Sequence, residues 1–300
     1  MSYAYLHWDV FTAEPLLGNQ LAVFTSAAGL DTPTMQRIAR EMNFSESTFL
    51  LPAEQPDTDV RMRIFTPTQE MPMAGHPTIG STFALAHGGF LEPGRPRVVF
   101  GLNVGPTPVD LEWAAGLLHF AWMTQGLPVF GDAVDSRSLV ASTLGLALAD
   151  LAPDVPIQTV SCGVPFVFVP LRDRDTVDRA TSDTAAFRRL TARLGQELAV
   201  FLFTVLPAGS EATVYSRMFA PELGIIEDPA TGAATGPLGC YLVEHGLVSG
   251  AAQASMLSLQ GVAMGRRSQL HIAVDGAPGA ITGVRVGGQA VLVGRGELVL

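Results

Sequence analysis

Short runs of apolar and β-branched residues, each closed by glycine or proline, recur along most of this chain and predict strands. They fall at Ala4 to Val10, Leu21 to Phe24, Ser47 to Leu51, Arg97 to Phe100, Gly116 to Trp122, Thr159 to Val169, Val200 to Val205, Leu270 to Val274 and Gln289 to Val293. Two more, Asp59 to Phe65 and Ala212 to Phe219, stop just before a proline-containing turn, where a ladder cannot continue. Helices are predicted over Pro33 to Met42, Ser138 to Leu148 and Ala185 to Leu198. Another runs from Pro77 to a stop at Gly88-Gly89, and a last one from Pro229 to Gly246. In both, a polar residue (His76, Asp228) precedes proline, which reads as an N-cap followed by the first helical position. These two helices are apolar on all sides, so each must be enclosed by something.

The pattern also repeats. Arg63-Ile64-Phe65-Thr66-Pro67 is echoed half a chain later by Arg217-Met218-Phe219-Ala220-Pro221, each closing a predicted strand. His76-Pro77-Thr78-Ile79-Gly80-Ser81 is then echoed by Asp228-Pro229-Ala230-Thr231-Gly232-Ala233. Two echoes in one order and at nearly one spacing indicate a duplication. The predicted architecture is α+β: two pseudo-symmetric, barrel-like domains, each a sheet wrapped around one apolar helix, which also removes exposed sheet edges. The linker is placed at Thr124-Gln125-Gly126-Leu127-Pro128, giving an N-terminal domain over 1–124, to which 286–300 return, and a C-terminal domain over 125–285.

Composition narrows the chemistry. With 300 residues, 48% hydrophobic and 15% charged, the chain has material for two cores. All 18 cationic side chains are arginine. Without lysine, a pyridoxal Schiff base, a P-loop and a Ser-x-x-Lys hydrolase are excluded. The six histidines form no His-x-x-x-His pair, and neither Gly-x-Ser-x-Gly nor Gly-x-Gly-x-x-Gly occurs. Neither a metal site nor an organic cofactor is expected. A formal charge of −10 with no basic stripe argues against nucleic acid as a partner. No apolar run reaches membrane-spanning length, and the N-terminus lacks a basic start followed by an apolar stretch, so a cytoplasmic location is expected. Cys162 and Cys240 match no disulfide or metal spacing and read as buried thiols.

A helix N-terminus presents unpaired N–H groups and about half a positive charge. Two such starts facing the cleft between the halves would bind an anion, with Gly75 and Gly232 letting a carboxylate approach the backbone. Taken singly, each is also readable as an ordinary capped helix, and Glu46 as a surface carboxylate in the loop Asn43-Phe44-Ser45-Glu46.

Five segments in order, Gly18-Asn19-Gln20-Leu21-Ala22-Val23, Asn43-Phe44-Ser45-Glu46-Ser47, Arg63-Ile64-Phe65-Thr66-Pro67, Gly75-His76-Pro77-Thr78-Ile79-Gly80 and Asp228-Pro229-Ala230-Thr231-Gly232, resemble the motifs of the PhzF-like phenazine-biosynthesis isomerases across nearly the whole chain. The resemblance implies the diaminopimelate-epimerase fold, a homodimer, and a cofactor-independent isomerase acting on a small carboxylate-bearing metabolite. It also implies that Glu46 shuttles a proton between substrate carbons, with His76 and Asp228 assisting. Asn19, Gly75, Thr231, Gly232 and Ala233 are then expected to bind substrate. In a dry cleft the charged form of a carboxyl is disfavoured, which suits it to accept and return a proton. The position after Thr231-Gly232, often serine in the family, is Ala233, which drops a hydroxyl and keeps a backbone donor. Gln20 stands where the Gly-Asn motif commonly has proline. Two other readings use the same features: an amino-acid racemase or epimerase, which needs two opposed bases, and a non-catalytic small-molecule binding protein.

Overall fold

The computed structural model describes residues 2–194, 199–248 and 252–300. They form two compact units, one reaching to Gln125 and including Arg285–Leu300, the other spanning Gly126–Val284. The fold is α+β and diaminopimelate-epimerase-like.

The first unit begins with β1 (Ser2–Val10), β2 (Asn19–Phe24), α1 (Thr32–Met42), β3 (Glu46–Pro52), β4 (Val60–Phe65), β5 (Glu70–Met71), α2 (Gly75–His87), β6 (Arg97–Leu102), β7 (Gly105–Ala114) and β8 (Leu117–Thr124). In the second follow β9 (Val129–Ala133), α3 (Arg137–Thr143), β10 (Gln158–Ser161), β11 (Pro165–Pro170), α4 (Arg174–Arg179), α5 (Thr184–Leu194), β12 (Ala199–Val205), β13 (Val214–Ala220), β14 (Ile225–Asp228), α6 (Gly232–Glu244), β15 (Gln253–Gln260) and β16 (Ser268–Ala277). The chain returns through β17 (Ala280–Gly288), whose last residues belong to the first unit, and ends in β18 (Ala290–Val299).

In the first unit the strands pair in the order β18, β1, β2, β3, β4, β6, β7, β8 and the end of β17. Because β17 and β18 are joined through Gln289 alone, this order begins and ends at one turn, and the sheet curls around α2. Every residue of α2 from Gly75 to Leu85 is buried. Gly80 shows how closely the helix lies: a Cβ there would sit 2.5 Å from Leu21 Cδ2 and 2.7 Å from Val10 Cγ2. The outer face of β2, β3 and β4 is covered by α1, which packs Met35, Ile38 and Ala39 with Phe24, Phe49 and Phe65.

The second unit repeats the scheme. β9, β10, β11, β12, β13, β15 and β16 pair in that order, with β11–β12 and β13–β15 parallel. α6 is buried from Ala234 to Val243 and packs Leu238, Tyr241 and Leu242 with Phe168, Phe203 and Ile272. On the other face α3, α4 and α5 lay Val140, Val177, Phe187 and Leu190 on Val167, Val169 and Val200. The two echoed arginines do the same thing in both units. Arg63 forks onto Glu70 (2.8 and 2.6 Å) and lies over the Phe65 ring, while Arg217 forks onto Glu227 (2.9 and 2.8 Å) and lies over Phe219.

Several elements differ from expectation for identifiable reasons. The run Thr159 to Val169 is two strands, because Gly163 at φ 137° turns the chain between β10 and β11. The helix predicted to Leu148 stops at Thr143, two residues before Gly145 takes a left-handed φ of 69°. Residues 195–198 of the helix predicted to Leu198 lie outside the described residues. β7 carries Pro106 and Pro108, which pair only with β6, since β8 joins β7 from Val109 onward. Neither central helix starts where its proline suggested, α2 beginning two residues before Pro77 and α6 three after Pro229, so the His76 and Asp228 echo is out of register with the helix starts. α2 begins at Gly75 behind Ala74, so His76 is its second residue, and α6 begins at Gly232 behind Thr231, four residues after Asp228. Asp228 instead ends β14, because a residue before proline is held in extended conformation.

Candidate active site

Alternation along two strands aims the polar residues of the first unit at α2. In β3, Thr48 Oγ1 bonds Ser81 Oγ of α2 at 2.9 Å, so Glu46, two residues earlier, shares that face. In β2, Leu21 packs on Gly80, so Asn19 likewise faces the helix start. Gly18 fixes Asn19's entry into β2. Its φ is 67°, and a Cβ would lie 2.3 Å from the Val10 carbonyl oxygen.

Three residues meet there. His76 Nδ1 lies 3.2 Å from Glu46 Oε2 and 3.3 Å from Asn19 Nδ2. The His76 side chain is 3% exposed and that of Glu46 is 12% exposed. Burial pushes the imidazole down to about 3, and the Gln20 backbone opposes this only weakly. The pair thus has the separation of a salt bridge but a neutral imidazole at neutral pH, and its attraction is a shared hydrogen bond. One ring nitrogen cannot accept from Asn19 and donate to Glu46 at once. If Nδ1 carries no proton, the ring proton is on Nε2 and the one lone pair of Nδ1 accepts either from the Asn19 amide or from a protonated Glu46 carboxyl. If Nδ1–H donates to a Glu46 carboxylate, the Asn19 amide presents its oxygen. With the ring neutral in both, the state with a protonated Glu46 holds one proton more than the state with its carboxylate, so the two are the loaded and unloaded forms between which an acid/base carboxyl alternates. Nε2 itself is buried, with no protein atom in hydrogen-bond geometry.

The burial of His76 has a measurable consequence. Its ordinary value is 6.5 and its folded value about 3, so between these limits the unfolded chain binds the extra proton. Stability from this group is fully present above about pH 6.5 and is lost as the pH falls toward 3, by at most about 1.4 kcal/mol per pH unit. A His76→Gln variant should therefore lose less stability than the wild type between pH 6.5 and 4 in denaturant titrations. Parallel curves would assign the acid sensitivity to other groups.

In the second unit the turn from Asp228 to Gly232 is buried throughout. Thr231 Oγ1 donates to Asp228 Oδ2 at 2.6 Å. Gln260, fully buried at the end of β15, accepts from Thr231 N–H at 3.0 Å and donates to the Asp228 carbonyl at 2.8 Å and to Thr231 Oγ1 at 2.9 Å. Gly232 and Ala233 are the first two residues of α6. Neither Ala74 nor Thr231 gives its helix a side-chain cap. These are not the capped starts that the His-Pro and Asp-Pro pairs suggested. Gln260 was not visible in the sequence as a site residue; its signal is an amide closing the strand end Leu257-Ser258-Leu259-Gln260. Among the described residues no three His, Cys, Asp or Glu side chains converge as metal ligands. No helix among them is long and apolar enough to cross a membrane.

A sheet wrapped around an apolar helix, with the Glu46 carboxyl 3.2 Å from a buried imidazole at the helix start, places the chain in the epimerase-like fold class. Residues 8–296 match the model of the phenazine biosynthesis-like (PhzC-PhzF) family, and the chain belongs to that family as an isomerase. It is 36% identical to the trans-2,3-dihydro-3-hydroxyanthranilate isomerase of Pseudomonas aeruginosa over 99% of this chain and 100% of that protein. A solved PhzF-family protein of Bacillus anthracis superposes with a TM-score of 0.91 at 27% identity, covering 100% of both chains. A hydroxyproline epimerase of Agrobacterium vitis, 15% identical, shares the fold with a TM-score of 0.69 over 99% of this chain and 91% of its own.

Proposed function

We propose that the chain isomerises a small cyclic carboxylate by moving one proton between two carbons, without a cofactor, and that Glu46 is the group that carries it. The supporting observation is the 3.2 Å contact between Glu46 and the buried, neutral His76. The Glu46 carboxylate removes a proton from a carbon next to an unsaturated bond. The electron pair shifts along the conjugated system, and the same carboxyl returns the proton at the far carbon, so that no atom is gained or lost. His76 steadies both protonation states of Glu46 through Nδ1, and its Nε2 is directed to the substrate. The uncapped N–H groups at Gly75 and His76 hold a substrate carboxylate. Asp228 assists the proton movement, and Thr231, Gly232 and Ala233, at the start of α6, belong to the substrate-binding set.

A two-base racemase is disfavoured by the same duplication. The place His76 takes in α2 is taken by Ala233 in α6, and the thiols are elsewhere, Cys240 in the body of α6 and Cys162 in the β10–β11 turn.

The substrate of the Pseudomonas relative, trans-2,3-dihydro-3-hydroxyanthranilate, is the compound to test first. Conversion in D2O should place deuterium, if any is taken up, at the carbon that gains the proton, and the double bond should move. Inversion of a stereocentre, with deuterium at that same carbon, would instead identify an epimerase. No conversion would remove this compound as substrate.

A further inference from the structure

We infer that Gln260 is a positioning residue of this isomerase, which directs the Thr231 hydroxyl proton onto the Asp228 carboxylate. The inference rests on the reading that Asp228 works on the substrate. The direction of each hydrogen bond follows from what each atom can do. Thr231 N–H can only donate, so Oε1 of Gln260 must face it. The Asp228 carbonyl can only accept, so Nε2 must face that. This fixes the amide orientation without ambiguity. The second N–H of Nε2 goes to Thr231 Oγ1, which must accept, and the only proton of that hydroxyl is then given to Asp228 Oδ2. Amide, hydroxyl and carboxylate form a one-way chain among groups that are all buried. Without the amide the hydroxyl is free to rotate, and its proton is no longer committed to the carboxylate.

The duplicated unit acts as an internal control. Val60 and Arg61 of β4 pair with Phe100 and Gly101 of β6, as Val214 and Tyr215 of β13 pair with Ser258 and Leu259 of β15. Leu102 therefore holds the place of Gln260. Ile64 pairs with Met71 as Met218 pairs with Asp228, so Met71 holds the place of Asp228. Ala74 precedes α2 as Thr231 precedes α6. All three positions are apolar in the first unit and all three are hydrogen-bonded polar residues in the second. The topology builds without them, so the set Asp228, Thr231 and Gln260 serves something other than the fold.

The test measures kcat and KM for trans-2,3-dihydro-3-hydroxyanthranilate with Gln260→Leu, Thr231→Val and the double variant. Each single change should lower kcat by about tenfold or more, with KM within about threefold of wild type. The double variant should match Thr231→Val within about twofold, because both changes cut one chain. Losses that multiply, or a Gln260→Leu variant within about twofold of wild type, overturn the assignment. If Gln260→Leu does not fold, Gln260→Glu takes its place, keeping the acceptor for Thr231 N–H and losing both donors. If the wild type does not turn over the compound, the proposed substrate fails, and crystal structures of wild type and Gln260→Glu decide the inference. The Thr231 Oγ1 to Asp228 Oδ2 contact should open beyond hydrogen-bond distance as the hydroxyl turns to the introduced carboxylate. An unchanged contact refutes the inference whatever the substrate.

Discussion

Replacing Glu46 by glutamine should lower kcat by roughly 10²–10⁴, the usual contribution of a positioned acid/base group, while substrate binding changes much less. The substitution keeps the shape of the side chain and a hydrogen-bond partner for His76 Nδ1, which lies 3.2 Å from the carboxyl. It removes only the ability to take up and release a proton. The neutrality of His76 is central to this expectation. An imidazole held down to about 3 by burial supplies no positive charge at neutral pH, so Glu46 is not an ion-pair partner whose loss would disturb folding through an unpaired cation. Steady-state kinetics and a melting curve on the same preparation separate the outcomes. A raised KM with unchanged kcat would make Glu46 a binding residue and pass the role of base to His76. A lowered melting temperature in step with the lost activity would make the contact structural.

The duplication was legible because its markers are local: Arg63 and Arg217 each occupy one strand position followed by an aromatic residue and a proline. What was not legible depends on pairing between distant segments. Glu70 and Glu227, which receive the two arginines, lie on the next strand in each unit, and only the antiparallel registers of β4–β5 and β13–β14 bring them opposite. Gln260 gains its role from the parallel register of β13 with β15, some forty residues downstream, which periodicity along one strand cannot reveal. The helix starts show a different limit. A polar residue before proline is a good general sign of an N-cap, but here Asp228-Pro229 opens a buried turn whose groups are satisfied by Thr231 and Gln260, and the helix begins only at Gly232. Of the residues now at the first helix start, Glu46 carried no local sign of function. Alternation predicted a strand from Ser47, and only the motif resemblance drew Glu46 into the site.

The two echoed arginines should differ sharply in what their removal costs, although they share a motif. Arg217 is 9% exposed and makes five hydrogen bonds: two to Glu227, and three from Nη1 to the carbonyls of Val177 (3.0 Å), Asp178 (3.1 Å) and Ala180 (2.8 Å). Those carbonyls close the C-terminal end of α4, where a cation also meets the negative end of the helix dipole. Arg217→Met fills much of the space but leaves a largely enclosed carboxylate, 14% exposed, and three carbonyls without this partner, a change expected to cost about 3 kcal/mol. Arg63 donates to Glu70 and to Thr32 Oγ1, and no carbonyl of a helix end depends on it. Its side chain and that of Glu70 are 18% and 23% exposed, so water partly replaces what is lost, and Arg63→Met should cost closer to 1 kcal/mol. Urea titrations of the two variants, followed by hydrogen exchange over β13 and α4, would check both the size and the place of the effect. Equal losses, or protection of α4 unchanged in Arg217→Met, would mean that the three carbonyl contacts contribute nothing and that the fork to Glu227 alone accounts for the stability of that corner.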